Sequence, residues 1–147
     1  MPEGAEKRPS EREARRAQRP GIQACGRMRV LLVDDSVVVR ERLRALLAET
    51  GDVEIVGEAA DVAEAEEADA RLAPDAVVLD MQLATGNGLA VLRHLRRSGR
   101  EALVIVLTNH LQAQYRRACM AEGADHFLDK STEFAAVAEI MGRAAAR

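Results

Sequence analysis

A chain of 147 residues, 48% hydrophobic and 31% charged, can bury one sizeable core and has the make-up of an ordinary globular domain. It has no apolar run near the ~18 residues of a membrane span and no signal-peptide core, so neither a spanning nor an exported protein is expected and the cytoplasm is the expected compartment. Two cysteines, Cys25 and Cys119, lack disulfide or zinc spacing and fit a reducing compartment, and three aromatic residues (Tyr115, Phe127, Phe134) are too few for a base-stacking surface.

The net charge of −3 is unevenly spread. Residues 1–27 carry seven basic and four acidic side chains, a net of +3, which leaves −6 for residues 28–147. With almost no large apolar residue, 1–27 is expected to be a disordered basic extension. Such an arm can touch nucleic acid or anionic lipid, but its interleaved glutamates argue against that. Met28 at the head of the first strand favours an upstream start codon instead. The folded domain is expected over 28–147.

Arg29–Asp34 reads as a strand. Ser36 can cap a helix in which Val39, Leu43, Leu46 and Leu47 recur at helical spacing until Gly51 stops it. Val53–Ala59 is a second strand. Asp61 and Glu64 have capping-box spacing for a helix with Ala65, Ala68 and Leu72 inward, ended by Pro74. Ala76–Asp80 is a third strand, followed by a Gly86–Gly88 turn and a helix carrying Leu89, Leu92 and Leu95. Ala102–Asn109 is a fourth strand, and Leu111, Tyr115, Ala118 and Cys119 suggest the inner stripe of a fourth helix. Asp125–Lys130 is a short fifth strand. Ser131 or Thr132 is expected to cap a last helix with Phe134, Val137, Ala138 and Met141 inward. Five βα units with almost continuously apolar strands predict an α/β domain, a doubly wound parallel sheet with helices on both faces.

Ligands of such a sheet sit beyond the carboxyl ends of the strands. Strand one ends in Asp34–Asp35, strand three in Asp80, strand four in Thr108–Asn109 and strand five in Lys130, all at one edge. Three carboxylates meeting there raise one another's pKa values unless a cation joins them. Carboxylates plus water suit Mg²⁺, with Lys130 as a fixed cation and Thr108 supplying a hydroxyl. A lone Asp after a strand is most often a cap or a solvated turn; the combination is what points to a site.

The segments DDS (Asp34–Ser36), VVLDMQL (Val77–Leu83), VLTN (Val106–Asn109) and FLDKS (Phe127–Ser131) together resemble the receiver domain of two-component response regulators, over essentially everything from Met28 onward. The resemblance implies a flavodoxin-like sheet of strand order 2-1-3-4-5. It implies that Asp80 is the phosphoacceptor, taking a phosphoryl group from the phosphohistidine of a sensor histidine kinase or phosphotransfer protein to give an aspartyl phosphate. Asp35 would bind Mg²⁺ directly, and Asp34 through water or as a second carboxylate. Asp80 and the Gln82 backbone carbonyl complete the implied ligand set. Thr108 and Lys130 would contact the phosphoryl oxygens, and Phe127 matches an aromatic switch position that turns inward as Thr108 moves. Gln82 and His110 occupy positions that in this family influence the rate of dephosphorylation.

Four positions depart from the family pattern. Ala84 stands where proline is frequent, predicting a looser loop after Asp80. Ser131 follows Lys130 where proline is common, which argues against a cis peptide there. Asn109 replaces a small residue and would narrow access to the phosphoryl group, and Gln82 with His110 leaves the phosphorylated lifetime open. No catalytic group is lost.

Other signals have plainer readings. Gly86-Asn87-Gly88 is a turn rather than a dinucleotide fingerprint, and LDMQL lacks the second aspartate of a dehalogenase-type phosphatase. Cys119 reads as core, His94 and His110 as isolated, and His126 as solvent-facing. Glu64, Glu66, Glu67 and Asp69 read as a solvated helix face. The expectation is a stand-alone receiver that passes its signal to a protein partner, with no direct DNA binding, no membrane contact, and homodimerisation through the fourth and fifth helices as one option. The rival reading is a phosphorylation-independent interaction module that keeps the fold alone.

Overall fold

A computed structural model of the chain describes residues 27–146; apart from Arg27, the predicted extension over 1–27 lies outside the described residues. The elements are β1 (Met28–Val33), α1 (Val37–Ala48), β2 (Val53–Ala59), α2 (Val62–Leu72), β3 (Ala76–Leu79), α3 (Gly88–Arg97), β4 (Leu103–Thr108), α4 (Ala113–Ala121), β5 (His126–Asp129) and α5 (Ala136–Ala145). The strands form one parallel sheet in the order β2-β1-β3-β4-β5, as expected.

Strand alternation divides the core in two. Leu31, Val33, Val77, Leu79, Val104 and Val106 face α2, α3 and α4, where Ala65, Ala68, Leu92, Leu95 and Cys119 meet them. Val30, Leu32, Val78, Ile105 and Leu107 face α1 and α5, against Leu43, Leu47, Val137, Ile140 and Met141. Every residue of β3 and β4 is buried, because each of these inner strands has neighbours on both sides and helices above and below. The β1–β2 ladder slips after Val30, which pairs with Ile55, so that Leu31 pairs with Gly57 and Val56 is the extra residue of a bulge. A β-carbon on Gly57 would sit 2.7 Å from Leu72 Cδ1, so glycine there lets α2 close onto the sheet.

Two helix starts follow their sequence signals, and a third takes its cap from the Gly86–Gly88 turn. Ser36 Oγ accepts from the Val39 N–H. Asp61 accepts from the Glu64 N–H, and Glu64 reaches back to the Ala60 N–H. Asn87 accepts from the Leu89 and Ala90 N–H groups.

Five expectations fail. Neither Ser131 nor Thr132 caps α5, which starts at Ala136 without a side-chain cap. The Ser131 N–H donates instead to Asp129 Oδ1, and Asp129 and Glu133 exchange bonds in a turn before the helix. The fourth helix does not bury its expected stripe: Leu111 precedes it, Leu111 and Tyr115 are exposed, and of its residues only Cys119 is buried. His126 is buried, since alternation puts it on the same face as Leu128, which α5 covers, and a doubly covered sheet has no solvent side. Asp69 is 1% exposed rather than solvated. It lies between α2 and α3, 3.2 Å from His94 Nε2 and 2.5 Å from Arg100 Nη2, so His94 is not isolated either.

Candidate functional site

The carboxyl ends of β1 and β3 lie side by side where the chain reverses its direction of travel through the sheet, the place where α/β sheets leave a crevice. Asp34 leaves β1 there and Asp80 leaves β3, 3% and 7% exposed, while Asp35 is exposed. One carboxylate oxygen from each of the three lies within 4.8 Å of the others. Lys130, just beyond β5, spans the gap: its Nζ donates to Asp34 Oδ2 and to Asp80 Oδ2, each at 2.8 Å.

Backbone amides hold the other carboxylate oxygens. Asp34 Oδ1 accepts from the Ser36 N–H at 2.9 Å, and Asp80 Oδ1 from the Met81 N–H at 2.7 Å. Arg40, in α1, donates to the Asp34 carbonyl oxygen, a support the sequence reading missed because an arginine on a helix face usually signals solvent. Gly88 brings the start of α3 against Asp80, for a β-carbon there would lie 2.3 Å from the Asp80 carbonyl oxygen. The loop between β3 and α3 is closed by a Gln82–Asn87 bridge and by the Gly88 N–H donating to the Met81 carbonyl. Ala84, expected to loosen this loop, donates its own N–H to the Ala60 carbonyl, a bond proline cannot make.

Burial pushes the Asp34 carboxyl above its ordinary pKa, against the opposing bonds from Lys130 and Ser36. The Lys130 ammonium loses hydration on burial, yet its bonds to Asp34 and Asp80 carry its pKa upward. The ammonium therefore stays charged, while the buried Asp34 carboxylate remains short of compensating positive charge. Hard carboxylate oxygens this close suit a small divalent cation with oxygen ligands, so these residues fit Mg²⁺.

The open cleft above the acids has a volume of about 330 Å³ and is lined by Asp34, Asp35, Ser36, Asp80, Gln82, Asn109, His110 and Lys130 among others. Thr108 is fully buried and does not line it; its hydroxyl accepts the His110 N–H. Two consecutive residues of the β4–α4 loop reach to opposite sides. Asn109 Oδ1 accepts from Ser131 Oγ at 3.2 Å, whereas His110 Nε2 hydrogen-bonds Gln82 Oε1. Phe127 is 5% exposed, in the core on the α4 side, with the Arg116 guanidinium 5.6 Å from its ring centre. The fold thus gathers Asp34, Asp35, Asp80, Lys130, Gln82 and His110 around one cleft and keeps Thr108 and Phe127 behind it.

Comparison with known proteins identifies the family of the fold. The model of the response regulator receiver domain matches residues 30–141. The response regulator MprA of Mycobacterium leprae is 42% identical over 104 residues, 70% of this chain and 44% of that protein. The transcriptional regulatory protein LiaR of Bacillus subtilis is 31% identical over 120 residues, 82% of this chain and 56% of that protein. The chain spans about half the length of the curated relatives it matches. The response regulator domain of Thermotoga maritima CheB superposes with a TM-score of 0.71 at 28% identity, covering 82% of this chain and 98% of that one.

Proposed function

The chain belongs to the response regulator receiver family of two-component signalling, and on that premise we propose that it is a phosphoacceptor switch, modified on Asp80 by a phosphohistidine of a sensor histidine kinase or phosphotransfer protein. The observation that carries this reading is Lys130 Nζ at 2.8 Å from both Asp34 and Asp80, with Asp35 within ligand distance.

Phosphoryl transfer asks little covalent chemistry of a protein; it needs a nucleophile placed in line and positive charge on the equatorial oxygens. The Met81 N–H fixes the Asp80 carboxylate through Oδ1. Lys130 contacts Oδ2 and is placed to meet an oxygen of the arriving group. Asp34, Asp35, Asp80 and the Gln82 backbone carbonyl would hold Mg²⁺, which supplies charge neutralisation at the phosphoryl oxygens. Thr108 would exchange its bond to the His110 N–H for one to a phosphoryl oxygen, drawing the β4–α4 loop inward. Asn109, Gln82 and His110 limit the approach of water. Output then passes to a protein partner through the surface that α4 and its neighbours present.

Intact mass after incubation with acetyl phosphate tests the reading. A gain of one phosphoryl group that needs Mg²⁺, disappears in EDTA and is absent from Asp80→Ala is expected. If neither acetyl phosphate nor a panel of phosphorylated histidine phosphotransfer domains modifies the protein, and beryllofluoride with Mg²⁺ does not bind, the phosphoacceptor role falls and a docking role is left.

A further inference from the structure

His110 does more than line the cleft. Its ring hydrogen-bonds the Gln82 side chain on one side, and on the other it meets the Tyr115 ring edge-on, with centroids 6.1 Å apart and planes at 81°. Gln82 and His110 line the acid cleft and also a neighbouring cleft of about 310 Å³ shared with Met81, Asn87 and Tyr115. They therefore form the wall between Asp80 and the first turn of α4. Anything attached to Asp80 enters a space bounded by that wall.

The helix at the far end of this contact is lightly held. Gln112 offers α4 no side-chain cap, and Cys119 is its one buried residue. An edge-to-face aromatic pair is worth about 0.5–1.5 kcal/mol, which is a small anchor in a packed core and a considerable one for a helix with so few others. Tyr115 is 37% exposed, and Leu111, just before the helix, is 46% exposed, so movement of this turn alters what a partner meets.

We propose that Gln82, His110 and Tyr115 form a relay by which occupation of Asp80 releases the first turn of α4. The inference rests on Asp80 being the phosphoacceptor, but the relay has a part that can be tested without phosphorylation. It runs beside any movement of Thr108 and Phe127 and uses different side chains.

Tyr115 is the one tyrosine of a chain without tryptophan, so tyrosine emission and its quenching by acrylamide report this position alone. In the unmodified full-length protein, His110→Ala is expected to steepen acrylamide quenching. Gln82→Ala, which is linked to Tyr115 by way of His110, is expected to do the same, while Gln82→Glu, which keeps an acceptor oxygen, restores the wild-type slope. Gln82 is exposed and His110 half-buried, and far-UV circular dichroism checks that each variant is folded before its quenching is read. If Gln82→Ala quenches as wild type, the relay is refuted whatever His110→Ala does.

The second arm follows the same signal with intact mass as Mg²⁺ and acetyl phosphate are added. The relay predicts that wild type moves to the slope of His110→Ala in proportion to the phosphoryl group gained, and that the slope of His110→Ala does not change further, whatever fraction of that variant gains the group. A full mass gain with an unchanged wild-type slope overturns the relay and leaves the phosphoacceptor reading intact. If no donor adds mass and beryllofluoride does not bind, the phosphoacceptor reading fails and takes the proposed release with it.

Discussion

Helices α3 and α4 are successive on the same face of the sheet, yet they are held in opposite ways. α3 is capped by Asn87, buries Gly88, Val91, Leu92 and Leu95, and carries His94, Arg96 and Arg97 in its last turn, where positive charge suits the helix dipole. α4 has no side-chain cap, no basic last turn and one buried residue, Cys119. The β3–α3 side fixes Asp80 through Gly88 and the Met81 N–H; the β4–α4 side offers Asn109 and His110 on a loop leading into a lightly anchored helix. A switch needs both kinds of element: a fixed place for chemistry and a low-stability segment that responds to it.

The contrast breaks most visibly under truncation. Leu92→Ala removes a fully buried side chain and is expected to cost about 2–5 kcal/mol, whereas Tyr115→Ala, which loses only the edge-on contact with His110, is expected to cost about 0.5–1.5 kcal/mol. Urea unfolding of the two variants checks this; equal losses would show α4 to be as firmly built as α3.

Helix caps sharpen the comparison at a smaller scale. Asn87→Ala is expected to lose about 1 kcal/mol, and Gln112→Asp to gain up to about 1 kcal/mol by supplying the cap that α4 lacks. Native-state hydrogen exchange then reads each helix separately: amides of α4 open more readily than those of α3, and the gap narrows in Gln112→Asp.

The rigid half has its own cost. The folded-state pKa of Asp34 is raised, chiefly by burial, so the fold favours its protonated form. Its favourable contribution is present below the unfolded value near 3.8 and is lost as pH rises through the raised folded value. Asp34→Asn is therefore expected to raise Tm at neutral pH in metal-free buffer, an advantage that shrinks on acidification and when Mg²⁺ is added to the wild type. A lower Tm at neutral pH would show that the Lys130 bond outweighs burial.

The smallest effect concerns a single thiol. Burial pushes Cys119 to about 11, and the thiolate is the reactive form. In a Cys25→Ser background, iodoacetamide at pH 8 should label the native protein only as fast as α4 opens, and Gln112→Asp should slow that labelling. Labelling at the rate of a free thiol would mean that α4 does not cover Cys119.

Strands and the acid cluster were legible in the sequence because each is written in local pattern: apolar runs and acids at strand ends; the strand order came from the family resemblance alone. What escaped depends on packing between elements. Asp69 sits in a run of acids that looks solvated, and only the approach of α3 turns it toward His94 and Arg100. His126 alternates as if one sheet face were open, but α5 closes that face. The α4 stripe misled because apolar residues at helical spacing report a possible face, not one that the neighbouring helices leave room to bury. Ala84 and Ser131 look like losses of proline until their N–H groups are traced to the Ala60 carbonyl and Asp129 Oδ1.

The extra residue in β2 bears on a different hazard. An open sheet has two edges with unpaired amides, and a long flat edge invites pairing with another molecule and aggregation. β2 is one of those edges, and its bulge at Val56 breaks the regular register there, as bulges elsewhere twist an edge away from partners. Glu54 and Glu58 add charge to the same strand, and the opposite edge, β5, is only four residues long. The irregularity that lets Gly57 pack beneath Leu72 thus also discourages strand-to-strand association of the kind that would take the protein out of solution at high expression.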